Sequence, residues 1–318
     1  MADVLCFGDL LIDFVPIESG LSFADLPSFK PAPGGAAANV AVGLGVSSAF
    51  MGKVSDDAFG HLLADILEHV GVDVTPIRFE KRARTALAFV TLTAEGERDF
   101  LFYRHPSADM LFTPEELDLA AIHAAKIFHF DSISLAAAQS QATALFAADE
   151  AAGAGKVISY DINLRLQLWD SEADARSGIS EGLRRANIVK LSDGELEFMT
   201  GEPLPGNIRS QLWHDGMRLA VLSLGDRGCV AITERSEMII PSILIRRWIR
   251  PAPAMASLPA SCPASPRTPK FLTTITHWPN SAVSPTRSVR SPPPHEVRYR
   301  HCLQLVRSKQ SWLPNRIR

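Results

Sequence analysis

Apolar residues in this chain gather in short runs bounded by glycine and acidic residues, and these runs alternate with stretches of helical spacing. Val4-Leu5-Cys6-Phe7-Gly8 reads as a buried first strand, since four apolar residues end at a turn former. Phe50-Met51-Gly52-Lys53-Val54 reads as another. Over 57–70 the pattern predicts a helix with Phe59, Leu62, Leu63, Ile66 and Leu67 on one face, and with His61 and His69 as surface or capping groups. Residues 85–92 and 99–104 flank Glu95-Gly96 and predict a β-hairpin. Alternation then resumes: a helix from Pro114, a strand at 127–130, an Ala-rich helix to Ala152 and a strand at 157–160. A helix over 173–185 and strands at 188–191 and 219–224 follow. Repeated alternation predicts an α/β fold with a doubly wound, mostly parallel sheet, into which the hairpin is inserted as a flap over a site.

Composition changes this picture at one place. A hydrophobic content of 46% and a charged content of 21% fit a soluble globular protein, and 318 residues can hold one large domain or two average ones. No apolar run approaches the ~20 residues that span a bilayer. No basic flank precedes the first apolar run, so no membrane partner or signal peptide is expected and a cytoplasmic location is. Cys6, Cys229, Cys262 and Cys302 fit no metal-ligand or redox spacing. The net charge of -3 hides a division: from Pro241 onward there are 13 Lys and Arg against one acid, Glu296, so the tail carries +12 and residues 1–240 carry -15. That tail also holds 13 of the 22 prolines and none of the 20 glycines, a composition that does not continue the domain before it.

Candidate chemistry clusters at strand ends. Asp9 and Asp13 follow the first strand, where open α/β sheets bind ligands. Gly34-Gly35 lets backbone approach a ligand closely and opens a small-residue helix from which Asn39 offers an amide. Asp161, Asn163 and Arg165 alternate just past one strand, and Lys190, Ser192 and Glu195 follow the next with a phosphate-seeking cation and a carboxylate able to orient a hydrated metal. Ser223, Gly225 and Gly228 follow another, with glycines suited to a nucleotide. Gly153-Ala154-Gly155-Lys156 lacks P-loop spacing and ends a helix instead of opening one.

Together these motifs resemble the ribokinase-like PfkB carbohydrate kinases. Five separated motifs occur in that family's order across residues 1 to about 240, and Gly52-Lys53-Val54, Phe102-Tyr103-Arg104 and 196–201 are most similar to its fructokinases. The resemblance implies a ribokinase-like domain over 1–240, with a small β lid formed from about 14–33 and 84–110 that is also a candidate homodimer contact. It implies that Asp13, Gly34, Gly35 and Asn39 hold sugar hydroxyls, with Arg104 on the lid as a further contact. Asn163, Lys190 and Ser192 would lie around the ATP phosphates, Glu195 would hold Mg²⁺ through water, and Ser223, Gly225 and Gly228 would approach the nucleotide. The implied activity is ATP-dependent phosphorylation of fructose at a primary hydroxyl. The alternatives are a kinase for another sugar or a sugar acid such as 2-keto-3-deoxygluconate, and a catalytically dead sugar- or nucleotide-binding protein.

Two departures from the family pattern bear on activity. Between Gly43 and Gly45 about three residues are missing relative to the family, so the first helix is short by nearly one turn. The family's catalytic Asp-Thr-Thr-Gly-Ala-Gly-Asp-like loop, whose last Asp is the base, is absent, so no catalytic residue is assigned and the chain as written is expected to be inactive. Codons suggest the reason. If the third base of each codon is read with the first two of the next, Trp248-Ile249 must encode Asp and Met255-Ala256 must encode Gly, since Trp and Met each have one codon. The rest of 248–261 then permits Asp-Ser-Thr-Gly-Ala-Gly-Asp-Gly-Phe-Val-Ala-Gly-Leu, and 283–304 permits a sequence like the family's C-terminus. The aberrant 241–318 tail therefore reads as a frameshifted C-terminus. A nucleic-acid-binding arm is disfavoured, because the basic residues carry no recognisable motif or regular aromatic spacing.

Overall fold

The computed structural model describes residues 2–18, 21, 23–92 and 98–242. The 241–318 tail and the Glu95-Gly96 turn lie, except for residues 241 and 242, outside the described residues.

Among the described residues, fourteen strands and six α-helices follow one another. The N-terminal part contains β1 (Val4–Phe7), β2 (Leu11–Pro16), β3 (Phe29–Gly34), α1 (Ala36–Gly43), β4 (Ser48–Met51), β5 (Lys53–Ser55) and α2 (Ala58–His69). Next come β6 (Arg78–Glu80), β7 (Leu87–Leu92), β8 (Arg98–Tyr103), α3 (Leu119–Ala124), β9 (Ile127–Asp131), α4 (Ala138–Gly153) and β10 (Val157–Asp161). The rest are α5 (Glu172–Arg185), β11 (Ile188–Ser192), α6 (Asp193–Thr200), β12 (Leu219–Ser223), β13 (Cys229–Ile232) and β14 (Glu237–Ile240).

Eight strands form the main sheet in the order β14-β13-β12-β11-β10-β9-β1-β4, parallel from β4 to β12 and antiparallel over β13 and β14. This is the doubly wound, mostly parallel sheet the alternation predicts. A separate four-stranded sheet, β3-β2-β7-β8, contains the predicted hairpin as β7 and β8, and β5 and β6 form a short third sheet. Among the described residues no helix is long and apolar enough to cross a membrane.

Alternation along the strands divides the main sheet's residues between two faces. Phe128, Phe130, Ile158, Tyr160, Val189 and Leu191 share one core with Ala144, Ala147, Ala148 and Ala151 of α4 and with Ile179 and Leu183 of α5. Small residues on the helices let them lie close: a methyl at Gly182 would stand 2.5 Å from the Tyr160 ring. A second core joins Val4, Cys6 and Phe50 to α1 and α2. His129, Asp131, Ser159, Asp161 and Lys190 occupy the positions between the large apolar residues, so the strands carry polar chemistry opposite a hydrophobic floor.

Three local expectations change. The 50–54 run is two strands in different sheets, broken at Gly52, where a methyl would meet Gly8 O and the Phe50 ring at 2.6 Å. The helix expected from Pro114 is a single 3₁₀ turn, Pro114–Glu116, closed by a capping box between Thr113 and Glu116, after which Asp118 caps α3. In α2 the buried residues are Gly60, Leu63, Ala64, Ile66 and Leu67. Phe59 is exposed and packs edge-on against Phe14. His61 is a surface group, stacked on Phe79 and 2.7 Å from Asp56.

Candidate functional site

Parallel register brings the candidate groups to one edge. Asp131 at the end of β9 is level with Asp161 at the end of β10, and Asp161 is level with Lys190 in β11. Ser192 pairs with Ser223 of β12, and the turn after β1 adds Asp9 beside β9. Strands contributing acids, a lysine and hydroxyls at their carboxyl ends create a polar crevice where open α/β sheets hold ligands.

Lys190 and Asp161 form an ion pair, Nζ to Oδ1, at 3.0 Å. Burial alone would lower the lysine's pKa, but the Asp161 and Glu195 carboxylates outweigh it and raise it. Burial holds Asp161 above the ordinary carboxylate range in spite of Lys190. Glu195 is also buried, yet Lys190 and the amides of Ser192 and Leu164 bring it below its ordinary value. Its Oε1 accepts from Leu164 N at 3.0 Å and its Oε2 from Ser192 N at 2.6 Å. Glu195 thereby ties the 163–165 loop to the start of α6.

Ser192 returns the contact as the N-cap of α6, its Oγ accepting from Glu195 N at 3.2 Å. Asn163 sits in this loop at φ 38°, and its buried Nδ2 has no protein partner. Arg165 donates to Leu164 O and lies 5.5 Å over the Phe100 ring of the smaller sheet.

A second cluster lies toward β1. Arg104 is buried, with its Nε donating to Asp109 Oδ2 at 2.8 Å and its Nη2 held by the same oxygen. Ser107 Oγ donates to the other carboxylate oxygen. Asp9 is raised by burial, with Arg104 pulling the other way, and Asp131 is pushed up to about 8 by burial, with Asp9 and Asp161 adding to it. Burial, helped by the charge of Lys190, pushes His129 down to about 4.

The sugar-side residues meet at the turn between β3 and α1. Gly35, at φ 115°, is the N-cap of α1, and a methyl there would lie 2.3 Å from Asp9 O. A methyl on Gly34 would strike Asp13 Oδ2 at 2.5 Å, which places Asp13 against the same turn. Asn39 is exposed on α1, apart from that contact. On the nucleotide side Ser223 Oγ donates to Leu191 O at 3.2 Å, and Gly225 opens a 3₁₀ turn at φ 63°. Gly228 at φ 95° is needed for packing, since a methyl would lie 2.1 Å from Ile240 O of β14.

Asp131, Asp109, His129 and Ser134 escaped the sequence reading. Asp131 ends an ordinary-looking strand, and only the register with β10 and the position of β1 surround it with other acids. The available signal was the rule already applied to Asp9, an acid at the end of a parallel strand.

The fold and crevice define an α/β enzyme built to hold a small polar substrate between a parallel sheet and a smaller β sheet. The chain belongs to the pfkB family of carbohydrate kinases, whose model matches residues 1–247. Fructokinase-2 of Solanum lycopersicum is 50% identical over 236 residues, covering 73% of this chain and 72% of that protein. The structure of fructokinase with bound ATP from Xylella fastidiosa superposes with a TM-score of 0.68 at 32% identity, covering 76% of this chain and 78% of that one. A fructokinase double mutant from Vibrio cholerae O395, solved with fructose, ADP and potassium ion, gives a TM-score of 0.67 at 28% identity over 77% of each chain. The chain is thus a fructokinase-like sugar kinase.

Proposed function

We propose that this chain has the ligand sites of an ATP-dependent fructokinase and lacks its catalytic loop. The observation that carries the nucleotide half is the buried Asn163 Nδ2, a donor with no protein partner, beside Lys190 at the strand ends. An orphan amide and an ammonium offer N–H donors to phosphate oxygens. Relatives with ATP, or with fructose and ADP, bound at the same fold support the substrates.

Asp13 and the Gly34-Gly35 turn, with Asn39, are the proposed sugar contacts, and Arg104 is set back from them by its pairing with Asp109. Ser192, Ser223, Gly225 and Gly228 shape the nucleotide end, although Ser192 and Gly228 also serve the fold. Both oxygens of Glu195 are taken by backbone amides, and among the described residues no group of three or more acids, His or Cys could hold a metal. Glu195 therefore fits Mg²⁺ only through water, where the ion would neutralise phosphate charge. The smaller sheet acts as a lid and as a homodimer contact, with Leu101 and Tyr103 exposed on it, and a cytoplasmic location belongs to the same reading.

Phosphoryl transfer needs a group to take the proton of the attacking hydroxyl. By the family resemblance that group would follow residue 245, where this chain has no acid before Glu296 and no glycine at all. A frameshift beginning between about Ala231 and Arg246 accounts for both absences.

Turnover of fructose and ATP by the chain as written, and by a version with the reading frame restored, tests the reading. The restored chain is expected to phosphorylate fructose and the written one not. Turnover by the written chain overturns the impairment, and a restored chain inactive on fructose, other sugars and 2-keto-3-deoxygluconate overturns the kinase reading. Resequencing the gene around codon 240 decides the frameshift separately.

A further inference from the structure

We propose that Thr85 is a positioning residue: its buried hydroxyl fixes the smaller sheet to the main body and so sets how well that sheet closes over a sugar. The effect on sugar affinity rests on the kinase reading above, whereas the anchor itself does not.

Thr85 is 3% exposed and lies two residues before β7, on the leg by which the chain enters the hairpin. Its Oγ1 donates to Asp57 Oδ1 at 2.9 Å and accepts from Ser55 N at 3.2 Å, so one hydroxyl uses its donor and an acceptor site together. The Thr85 amide donates to Asp57 Oδ2 at 3.4 Å.

Both partners belong to the main body. Asp57 is the N-cap of α2 and accepts from Gly60 N at 2.8 Å. The helix packs through Leu63, Ala64 and Leu67 into the core that contains Val54 of β5. A methyl on Gly60 would lie 2.0 Å from Ser55 O, so the first turn of α2 rests directly on β5.

The residues on either side of Thr85 hold the rest of the smaller sheet. Arg84 pairs with Ser107 on the leg that leaves the hairpin, and its O accepts from Ala108 N at 2.8 Å. Ser107 donates to the Asp109 carboxylate that holds Arg104. Ala86 O accepts from Ile12 N at 3.2 Å, and Ala88 is level with Asp13. Three consecutive residues thus join the leaving leg, the main body and the strand that carries Asp13. Lys53 of β5 ties the leaving leg a second time by donating to Leu111 O at 3.0 Å. A shift of Thr85 therefore moves the sugar side, while the loop of Asn163 is held separately by Glu195.

Thr85→Val keeps the side chain's shape and removes the hydroxyl from both bonds, whereas Thr85→Ser keeps the hydroxyl. The test is calorimetry on the full 318-residue chain with fructose and with ATP, together with hydrogen exchange of backbone amides and thermal unfolding as a control for folding. Thr85→Val is expected to lose about tenfold in fructose affinity with ATP affinity unchanged, and Thr85→Ser to stay within about threefold of the parent. Exchange at 87–90 should quicken by about tenfold in Thr85→Val while that at 127–131 stays the same. Parent-like fructose affinity in folded Thr85→Val overturns the proposal, as do equal losses in the two variants or an equal fall in ATP affinity. A parent chain that binds neither ligand overturns the kinase reading instead; the exchange rates then decide the anchor alone, and unchanged rates at 87–90 overturn it.

Discussion

Lys190 and Asp161 face each other across neighbouring parallel strands with Nζ 3.0 Å from Oδ1, and Glu195 adds a second carboxylate to the same lysine's surroundings. Lys190→Met leaves two buried acids without this cation. The expected cost is about 3–5 kcal/mol in urea denaturation, with weaker ATP binding in calorimetry. A variant as stable as the parent would show that the acids are compensated elsewhere.

The Arg104–Asp109 pair gives a matched test farther from the nucleotide side. Asp109→Ala strands a buried guanidinium that directs two nitrogens at one carboxylate oxygen, so a loss of about 3–5 kcal/mol is expected. Asp109→Asn keeps one acceptor and should lose less. Equal losses would mean that charge, not hydrogen bonding, holds Arg104.

Stability should depend on pH through Asp131. Its pKa rises from an ordinary 3.8 to about 8 on folding, so between these values the folded chain holds a proton that the unfolded chain lacks, and stability falls as pH rises. The slope from one such group is at most ~1.4 kcal/mol per pH unit. His129 acts in the opposite sense, since its drop from 6.5 to about 4 makes stability rise with pH between those values. Above 6.5 the histidine no longer contributes and the Asp131 trend stands alone of the two. Denaturation from pH 6.5 to 8 should show a decline that Asp131→Asn flattens; an identical slope in the variant would contradict this.

Two glycines with positive φ predict different costs. Gly35→Ala would press a methyl 2.3 Å from Asp9 O at φ 115°, and a loss of at least ~2 kcal/mol with impaired fructose binding is expected. Gly45→Ala, at φ 60° with nothing within 4 Å, should cost only about 1 kcal/mol. Thermal unfolding of the pair separates a backbone clash from conformational preference.

The capping box of α6 is testable too. Ser192→Ala should cost about 1 kcal/mol through the lost cap. Glu195→Gln can accept with only one of the two atoms that now meet the Leu164 and Ser192 amides, and a loss of about 1–3 kcal/mol is expected by the same measurement.

The main sheet was legible because its strands are short apolar runs separated by helices with local caps. Strand pairing was not: the 50–54 run shows nothing of its division at Gly52, which depends on Gly8 and the Phe50 ring. Candidate site residues at strand ends were legible through their position after a strand, yet their partners were not. Arg104 is a candidate sugar contact by its place on the lid, but nothing in sequence signals that Asp109 closes on it. Asp131 was passed over because its company, Asp9 and Asp161, arrives only through the order β10-β9-β1.

That strand order also fixes a sequence of events during synthesis. The first strand made, β1, sits between β4 and β9, so one of its edges can pair once residue 51 is made while the other waits for residues 127–129. By Ile240 each of the eight strands has at least one of its hydrogen-bonded neighbours available. The reading frame beyond that point therefore alters none of the residues that pair in this sheet.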